Sequence, residues 1–391
     1  MMKIKKLSAG NRSASLTQSE IRHMSIVCAE KGGINMAQGI CDLPLASPVK
    51  EGAADAITEG HNCYTRYDGI PILRKAISEK ARAFNKIKCD PEKNIIVSAG
   101  ATGVFYSACM ALLDPGDEVI VFEPYYGYHI NTIAAVGAKP VYVRTNPPDW
   151  KFRTDDITKA ITPKCKAILI NTPANPSGKV FTRGEIEDIA EISIRHSLFI
   201  ITDEIYEYFV YDDAEHISPA SIPEIADRTI TISGYSKTFS ITGWRVGYCI
   251  CHEKWAEPIG HLNDLIYVCA PAPLQHGVAK GINELDSEYY LEIKNDFQKI
   301  RDKICSSLLH AGLKPFIPRG AYYILADVSS IKGKNSREKA LALLDETGIA
   351  TVPGKAFYHD AAGENLVRFC FAKDEATIEK ACSSLEGLFR K

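Results

Sequence analysis

A chain of 391 residues with a 46% hydrophobic and 24% charged share has the composition of an ordinary globular protein and the length for two or three domain-sized units. Its net charge of −2 argues against nucleic-acid and acidic-membrane partners, which favour a basic surface. The twelve cysteines are scattered without zinc-site spacing, Cys249-x-Cys251 included, and the basic start from Met1 to Lys6 leads into no apolar signal core; free thiols in a cytoplasmic protein are expected.

From the amino terminus, Thr17 to Glu30 reads as a helix, with Thr17 and Glu20 spaced as a capping box and Gly32-Gly33 as its stop. Ile95 to Leu113 carries no charge across nineteen positions, close to the length of a membrane span. Gly100, Gly103 and the hydroxyls of Ser98, Thr102 and Ser107 interrupt it, however, and Asp114-Pro115-Gly116-Asp117 closes it. A buried strand from Asn94 to Ser98, a glycine turn and a buried helix are expected instead.

Further apolar runs follow at Glu118 to Phe122, Pro140 to Val143, Ala167 to Ile170, Leu198 to Ile201, Thr229 to Ile232 and Val246 to Ile250. Rich in β-branched residues and without polar alternation, they predict strands buried on both faces of a mainly parallel sheet. Helices lie between them, such as Thr182 to His196, where Thr182 and Glu185 form a capping box. The pattern is that of a doubly wound α/β domain. After Gln275 one long helical pattern runs through Ile282, Leu285, Tyr289, Ile293, Phe297, Ile300, Ile304 and Leu308 to Gly312, and a smaller α+β unit completes the chain. The expected organisation is an arm over 1–46 packing on the small domain, a large domain over 47–283, and a linking helix with the small domain over 284–391.

Chemistry concentrates behind the apolar runs. Lys237 sits in Ser233-Gly234-Tyr235-Ser236-Lys237-Thr238-Phe239-Ser240-Ile241-Thr242-Gly243-Trp244-Arg245-Val246-Gly247. A lysine held at a strand end suits a Schiff base to a phosphorylated aldehyde, with Arg245 and the hydroxyl of Ser233 or Ser236 on the phosphate. Gly100-Ala101-Thr102-Gly103 would let backbone amides approach that phosphate where a helix begins, although alone it is equally a structural turn. Asp203 ends an apolar run, where a carboxylate needs a positive partner; alone it could cap a helix. Arg368 lies inside the apolar run Leu366-Val367-Arg368-Phe369 and needs a carboxylate, either of a ligand or of a structural ion pair. In open parallel sheets ligands bind beyond the carboxyl ends of the strands, so these dispersed groups are expected to converge.

The fifteen-residue lysine segment resembles the signature of the class I pyridoxal-phosphate-dependent aminotransferases, and the resemblance runs through nearly the whole chain. It implies the fold-type I architecture: a mainly parallel large-domain sheet and a smaller α+β domain. It implies pyridoxal 5′-phosphate as cofactor, bound to Lys237, with Gly100, Ala101, Thr102, Ser233, Ser236 and Arg245 around the phosphate. Asp203 would hold the ring nitrogen. Asn175, in Asn175-Pro176-Ser177-Gly178, matches an Asn-Pro-Thr-Gly motif with serine for threonine, and with Tyr206 would bond the cofactor's phenolic oxygen. Tyr126 lies where the family stacks an aromatic on the ring, unless it is plain core. The aspartate-specific branch usually has tryptophan there, so strict aspartate specificity is not implied. Tyr64 resembles the tyrosine that reaches the phosphate across a dimer interface, which implies a homodimer. Arg368 would grip the substrate α-carboxylate, with Gly39 and Asn175 beside it; Arg319 to Tyr323 and Val352 to Phe357 resemble small-domain landmarks.

The implied reaction moves the amino group of an L-amino acid to a 2-oxo acid, with 2-oxoglutarate the expected acceptor and Lys237 the proton carrier. A carbon–sulfur β-lyase is the alternative with the same site. A nucleic-acid-binding regulator is disfavoured, because the residues before the fold lack a helix-turn-helix pattern. Arg12, Arg66 and Lys355 are the candidates for a distal carboxylate, while Tyr64, Tyr125, Tyr126 and Tyr128 would tolerate an aromatic or apolar substrate side chain.

Overall fold

The computed structural model describes residues 7–10 and 19–388. Every expected apolar run forms a strand. In chain order the strands are β1 (Ile34–Asn35), β2 (Ile95–Ala99), β3 (Glu118–Glu123), β4 (Lys139–Arg144), β5 (Cys165–Asn171), β6 (Phe199–Asp203), β7 (Thr229–Gly234) and β8 (Val246–Ile250). Then come β9 (Lys314–Phe316), β10 (Tyr323–Asp327), β11 (Ile349–Ala350), β12 (Val352–Pro353) and β13 (Leu366–Cys370). Seven of them make one sheet in the order β2-β8-β7-β6-β5-β3-β4. Of the seven, β8 alone runs opposite to the other six.

The strands are continuously apolar because both faces are covered. Val119, Val121, Leu169 and Ile201 join one buried cluster, and the alternating Ile120, Phe122, Ile168 and Ile200 join another on the opposite side. The charge-free stretch divides as expected, into β2 and a helix over Gly100–Leu112 whose Val104, Phe105, Ala108 and Cys109 pack on the first cluster. No helix among the described residues is long and apolar enough to cross a membrane.

The helix over Arg183–Arg195 begins in the expected capping box. Glu185 N–H donates to Thr182 Oγ1 at 3.3 Å, and Thr182 N–H to Glu185 Oε2 at 2.9 Å. At the amino end a helix spans Glu20–Glu30 and stops where Gly32 takes φ 62°, so that Gly33 N–H reaches Cys28 O at 3.0 Å. Thr17, and with it the proposed capping box, lies outside the described residues.

The long helical pattern is two helices, Ala272–Glu284 and Ser287–His310. Asp286 is the reason. Its carboxylate accepts the N–H groups of Glu288 and Tyr289 at 3.0 and 3.2 Å and starts a fresh helix. The apolar periodicity passes through the break and hides it.

A second, antiparallel sheet has the order β12-β13-β10-β9, and β1 of the amino-terminal arm pairs in parallel with β11 beside it. The segment after β6 ties the two sheets together. Tyr206, Phe209 and Tyr211 sit in the core of the smaller sheet, with Ala321 N–H donating to Phe209 O at 2.9 Å. Replacing Thr182 with alanine removes one half of the capping box and is expected to cost about 1 kcal/mol. Urea unfolding followed by circular dichroism checks this, with Thr182→Ser recovering most of the loss.

Candidate active site

Because β8 is antiparallel to both β2 and β7, those two point the same way as β5 and β6, and the segments after all four strands leave one edge of the sheet. A cavity of about 620 Å³ lies there. Gly39, Ala101, Thr102, Tyr126, Asn175, Asp203, Tyr206, Ser236, Lys237, Arg245 and Arg368 border it. The dispersed signals of the sequence therefore meet in one place.

At one end stand hydrogen-bond donors: the first turn of the Gly100–Leu112 helix, Thr102, Ser236 and Arg245. Arg245 has φ 57°, a costly backbone state for a non-glycine residue, and its Nη1 donates to Thr242 O at 3.0 Å. Gly100 has φ 78°, and a Cβ there would lie 2.5 Å from Arg245 Nη2, so only glycine leaves this cradle open. Helix dipole, hydroxyls and guanidinium together suit a phosphate. Ser233 is the exception to the expected set. It faces the other side of β7, where its hydroxyl donates to Glu207 Oε1 at 3.0 Å within the buried Lys80–Glu207 ion pair, and it does not border the cavity. The strand's two-residue alternation puts it under the sheet, leaving Ser236 as the serine at this end.

In the middle, Asp203 ends β6 with Oδ1 accepting Ile205 N–H at 3.2 Å and Oδ2 paired to His129 Nε2 at 2.9 Å. His129, on the helix Gly127–Ala135, was invisible to the sequence reading: a lone histidine in a helical pattern carries no spacing signal. It is wedged against Phe105 and Tyr126, with ring centroids 4.9 and 5.2 Å away. Asn171 closes the set by donating to Asp203 O at 3.1 Å and accepting Asn175 N–H at 2.8 Å. A carboxylate so oriented suits a cationic ring nitrogen.

Lys237 lies in the turn after β7 and donates to Gly39 O at 2.9 Å. Burial away from water lowers its amine to about 8, so a useful fraction is free base near neutral pH. Tyr206 shares a 2.8 Å hydrogen bond with Tyr323 OH, and burial drives its hydroxyl well above the ordinary phenol range. It stays protonated and can donate. Tyr126 stacks on Tyr128 at 5.3 Å and meets His129 edge-on.

The other end is a cation. Arg368, on β13, is fully buried, with Nη1 donating to Asn175 Oδ1 at 2.8 Å and Nη2 to Ala37 O at 2.5 Å. Its guanidinium lies 4.2 Å from the Tyr323 ring centroid, and among the described residues Nε has no hydrogen-bond partner. Among the described residues no carboxylate pairs with it, which argues against a structural ion pair and for an anionic ligand. Tyr323 is a second site residue that the sequence reading passed over, having taken it for a domain landmark. A Cβ at Gly39 would strike its hydroxyl, which accounts for glycine there. Tyr64, by contrast, is 85% exposed and does not border this cavity.

Comparison with known proteins shows the family. The family model for class I and II aminotransferases matches residues 31–385. The aspartate aminotransferase of Pyrococcus abyssi is 33% identical over 98% of this chain and 99% of its own. Kynurenine–oxoglutarate transaminase 3 of Rattus norvegicus is 35% identical over 93% of this chain and 86% of its own. The solved N-succinyldiaminopimelate aminotransferase of Mycobacterium tuberculosis superposes with a TM-score of 0.94 at 31% identity, over 97% of this chain and 100% of that one. The chain is an aminotransferase of the class I and II family, built on the fold-type I architecture.

Proposed function

We propose that this aminotransferase works with pyridoxal 5′-phosphate, passing the amino group of an L-amino acid to a 2-oxo acid such as 2-oxoglutarate. The observation that carries the reading is the convergence of Lys237, Asp203 and Arg368 on one cavity. When bound, the cofactor supplies an aldehyde for the lysine and a ring that takes up the electrons released at the substrate α-carbon. Gly100, Ala101, Thr102, Ser236 and Arg245 would hold its phosphate, Asp203 its ring nitrogen, Asn175 and Tyr206 its phenolic oxygen, and Tyr126 one ring face. Arg368 and Gly39 would seat the α-carboxylate of the amino acid. Lys237, released from the cofactor, would carry the α-proton.

The chain's own part is positioning. Asn175 Oδ1 is taken by Arg368, which leaves the amide nitrogen of Asn175 as the group that would donate to the cofactor's phenolic oxygen. His129 holds the Asp203 carboxylate from behind. Phe105, Tyr126, Tyr128 and Ile205 give the cavity an apolar wall that supports aromatic and apolar donors. The high exposure of Tyr64 supports a homodimer in which this side chain completes the partner's phosphate site. The division into 1–46, 47–283 and 284–391 would then let the small domain close on bound carboxylate. Twelve free thiols support a cytoplasmic setting.

Purified protein given each amino acid in turn is expected to release the matching oxo acid without ammonia. Ammonia release from cysteine-type substrates would overturn the transaminase reading. Lys237→Ala is expected to abolish turnover, and unchanged turnover would remove Lys237 from the mechanism. Arg368→Ala forfeits charge-assisted hydrogen bonds of about 1.5–3 kcal/mol and should raise KM roughly 10- to 100-fold; an unchanged KM would refute its carboxylate role.

The lysine also makes a pH prediction. Between about 8 and the ordinary 10.5 the unfolded chain keeps a proton that the folded one has lost. Cofactor-free protein therefore gains stability as pH rises through that window, and Lys237→Met does not. Acylation of Lys237 followed by mass spectrometry should show a midpoint near pH 8; one near 10.5 would contradict the burial argument.

A further inference from the structure

The turn that follows β12 touches both Arg368 and the strand exit that carries Tyr126. β12 pairs with Arg368's own strand in the register Val352↔Arg368, and the turn spans Gly354–Phe357. Phe357 is buried, with its ring centroid 5.2 Å from the Arg368 guanidinium. Its carbonyl accepts Tyr125 N–H at 3.0 Å, and Tyr125 directly precedes Tyr126 at the cavity wall. Tyr125 itself does not border the cavity.

A second tie is made two residues further on. Glu123, the last residue of β3, is 1% exposed. Its Oε1 accepts His359 N–H at 2.7 Å and pairs with His359 Nδ1 at 2.8 Å. Its Oε2 accepts Arg144 Nε–H at 3.1 Å and lies 3.0 Å from Arg144 Nη2. Arg144 is the register partner of Glu123 on β4, so the large sheet alone supplies the counter-charge that a buried carboxylate needs. Charge balance therefore does not account for the oxygen given to His359, which reaches from one sheet's domain to the other's. Two further contacts run the same way. Arg144 Nη2 donates to Asp360 Oδ2 at 2.8 Å, and Tyr142 stacks between Tyr125 and His359 with ring centroids 5.5 and 4.5 Å away.

We infer that Glu123 is a positioning residue for substrate binding: by clasping His359 it holds the Phe357 ring against Arg368, and so sets where the substrate α-carboxylate rests. Phe357 hangs from two tethers, the Tyr125 N–H on its carbonyl and the Glu123–His359 clasp two residues later. Without the clasp the turn is left on one neutral hydrogen bond. Arg368 then loses its hold on one of the two aromatic rings beside it, Tyr323 being the other. Glu123 does not border the cavity and acts through Phe357. The inference rests on the aminotransferase site proposed above.

The test uses holoenzyme and 3-phenylpropionate, an unreactive acid with one carboxylate, with dissociation constants from calorimetry. His359 is exposed, so its variants are expected to fold. His359→Ala keeps the backbone N–H and removes the ring nitrogen; it should weaken the acid by about threefold or more, the scale of one lost hydrogen bond. His359→Asn, with an amide nitrogen in the place of Nδ1, should recover most of the loss. Glu123→Gln should weaken the acid further, and where it does not fold the two histidine variants decide alone. In steady-state kinetics His359→Ala should raise KM while kcat stays within about twofold. An unchanged dissociation constant in His359→Ala, or equal weakening in His359→Ala and His359→Asn, overturns the role of the clasp and leaves the active site standing. A fall in kcat with KM unchanged overturns it as well. Failure of wild type to bind the acid overturns the site and this inference together.

Discussion

Burying a guanidinium without a carboxylate beside it is among the costlier things a fold can do, and the arrangement around Arg368 is a response to that cost. Its charge is met by an amide oxygen from the segment after β5, a carbonyl from the amino-terminal arm and the face of a tyrosine on β10. Three distant stretches of chain are brought into register by the needs of one side chain. The tyrosine beneath it passes the constraint on, since Tyr323 OH is bonded to Tyr206 OH. Arg368 and Tyr206 are thus joined by a continuous run of contacts through Tyr323.

The opposite end relies on the sheet. Parallel strands stop at a common edge, which sets Asp203 beside Asn171 in adjacent register and sends the turn carrying Lys237 over the same rim. Positive φ at Ser240 and Arg245 marks where the backbone after Lys237 is bent to aim a guanidinium back at the Gly100 turn, a strain that the surrounding packing must offset.

How much of this the sequence disclosed follows from what kind of signal each part leaves. The strands were legible because burial on both faces erases polar alternation, and the Thr182–Glu185 box because capping is local chemistry. Lys237 and Asp203 were legible because a charged residue at the end of an apolar run needs an explanation. His129 and Tyr323 left no such mark, since each is an ordinary residue in an ordinary helix or strand until another segment is folded against it. Ser233 and Ser236 look equivalent on paper; strand alternation separates them. The break at Asp286 was masked by apolar spacing that runs on through it, although the aspartate that starts the second helix was in plain view.

The arm carbonyls that receive these cations also set a threshold for what can enter. Ala37 O accepts from Arg368 and Gly39 O from Lys237, so neutral peptide oxygens sit where the proposed function would bring an acid. An ester or amide of an amino acid would offer Arg368 another neutral carbonyl, no better than the one it would displace. A free carboxylate brings a full charge and two oxygens, and it alone gains by the exchange. If Arg368 receives the α-carboxylate as proposed, free amino acids would be told apart from residues within a peptide chain before any chemistry begins.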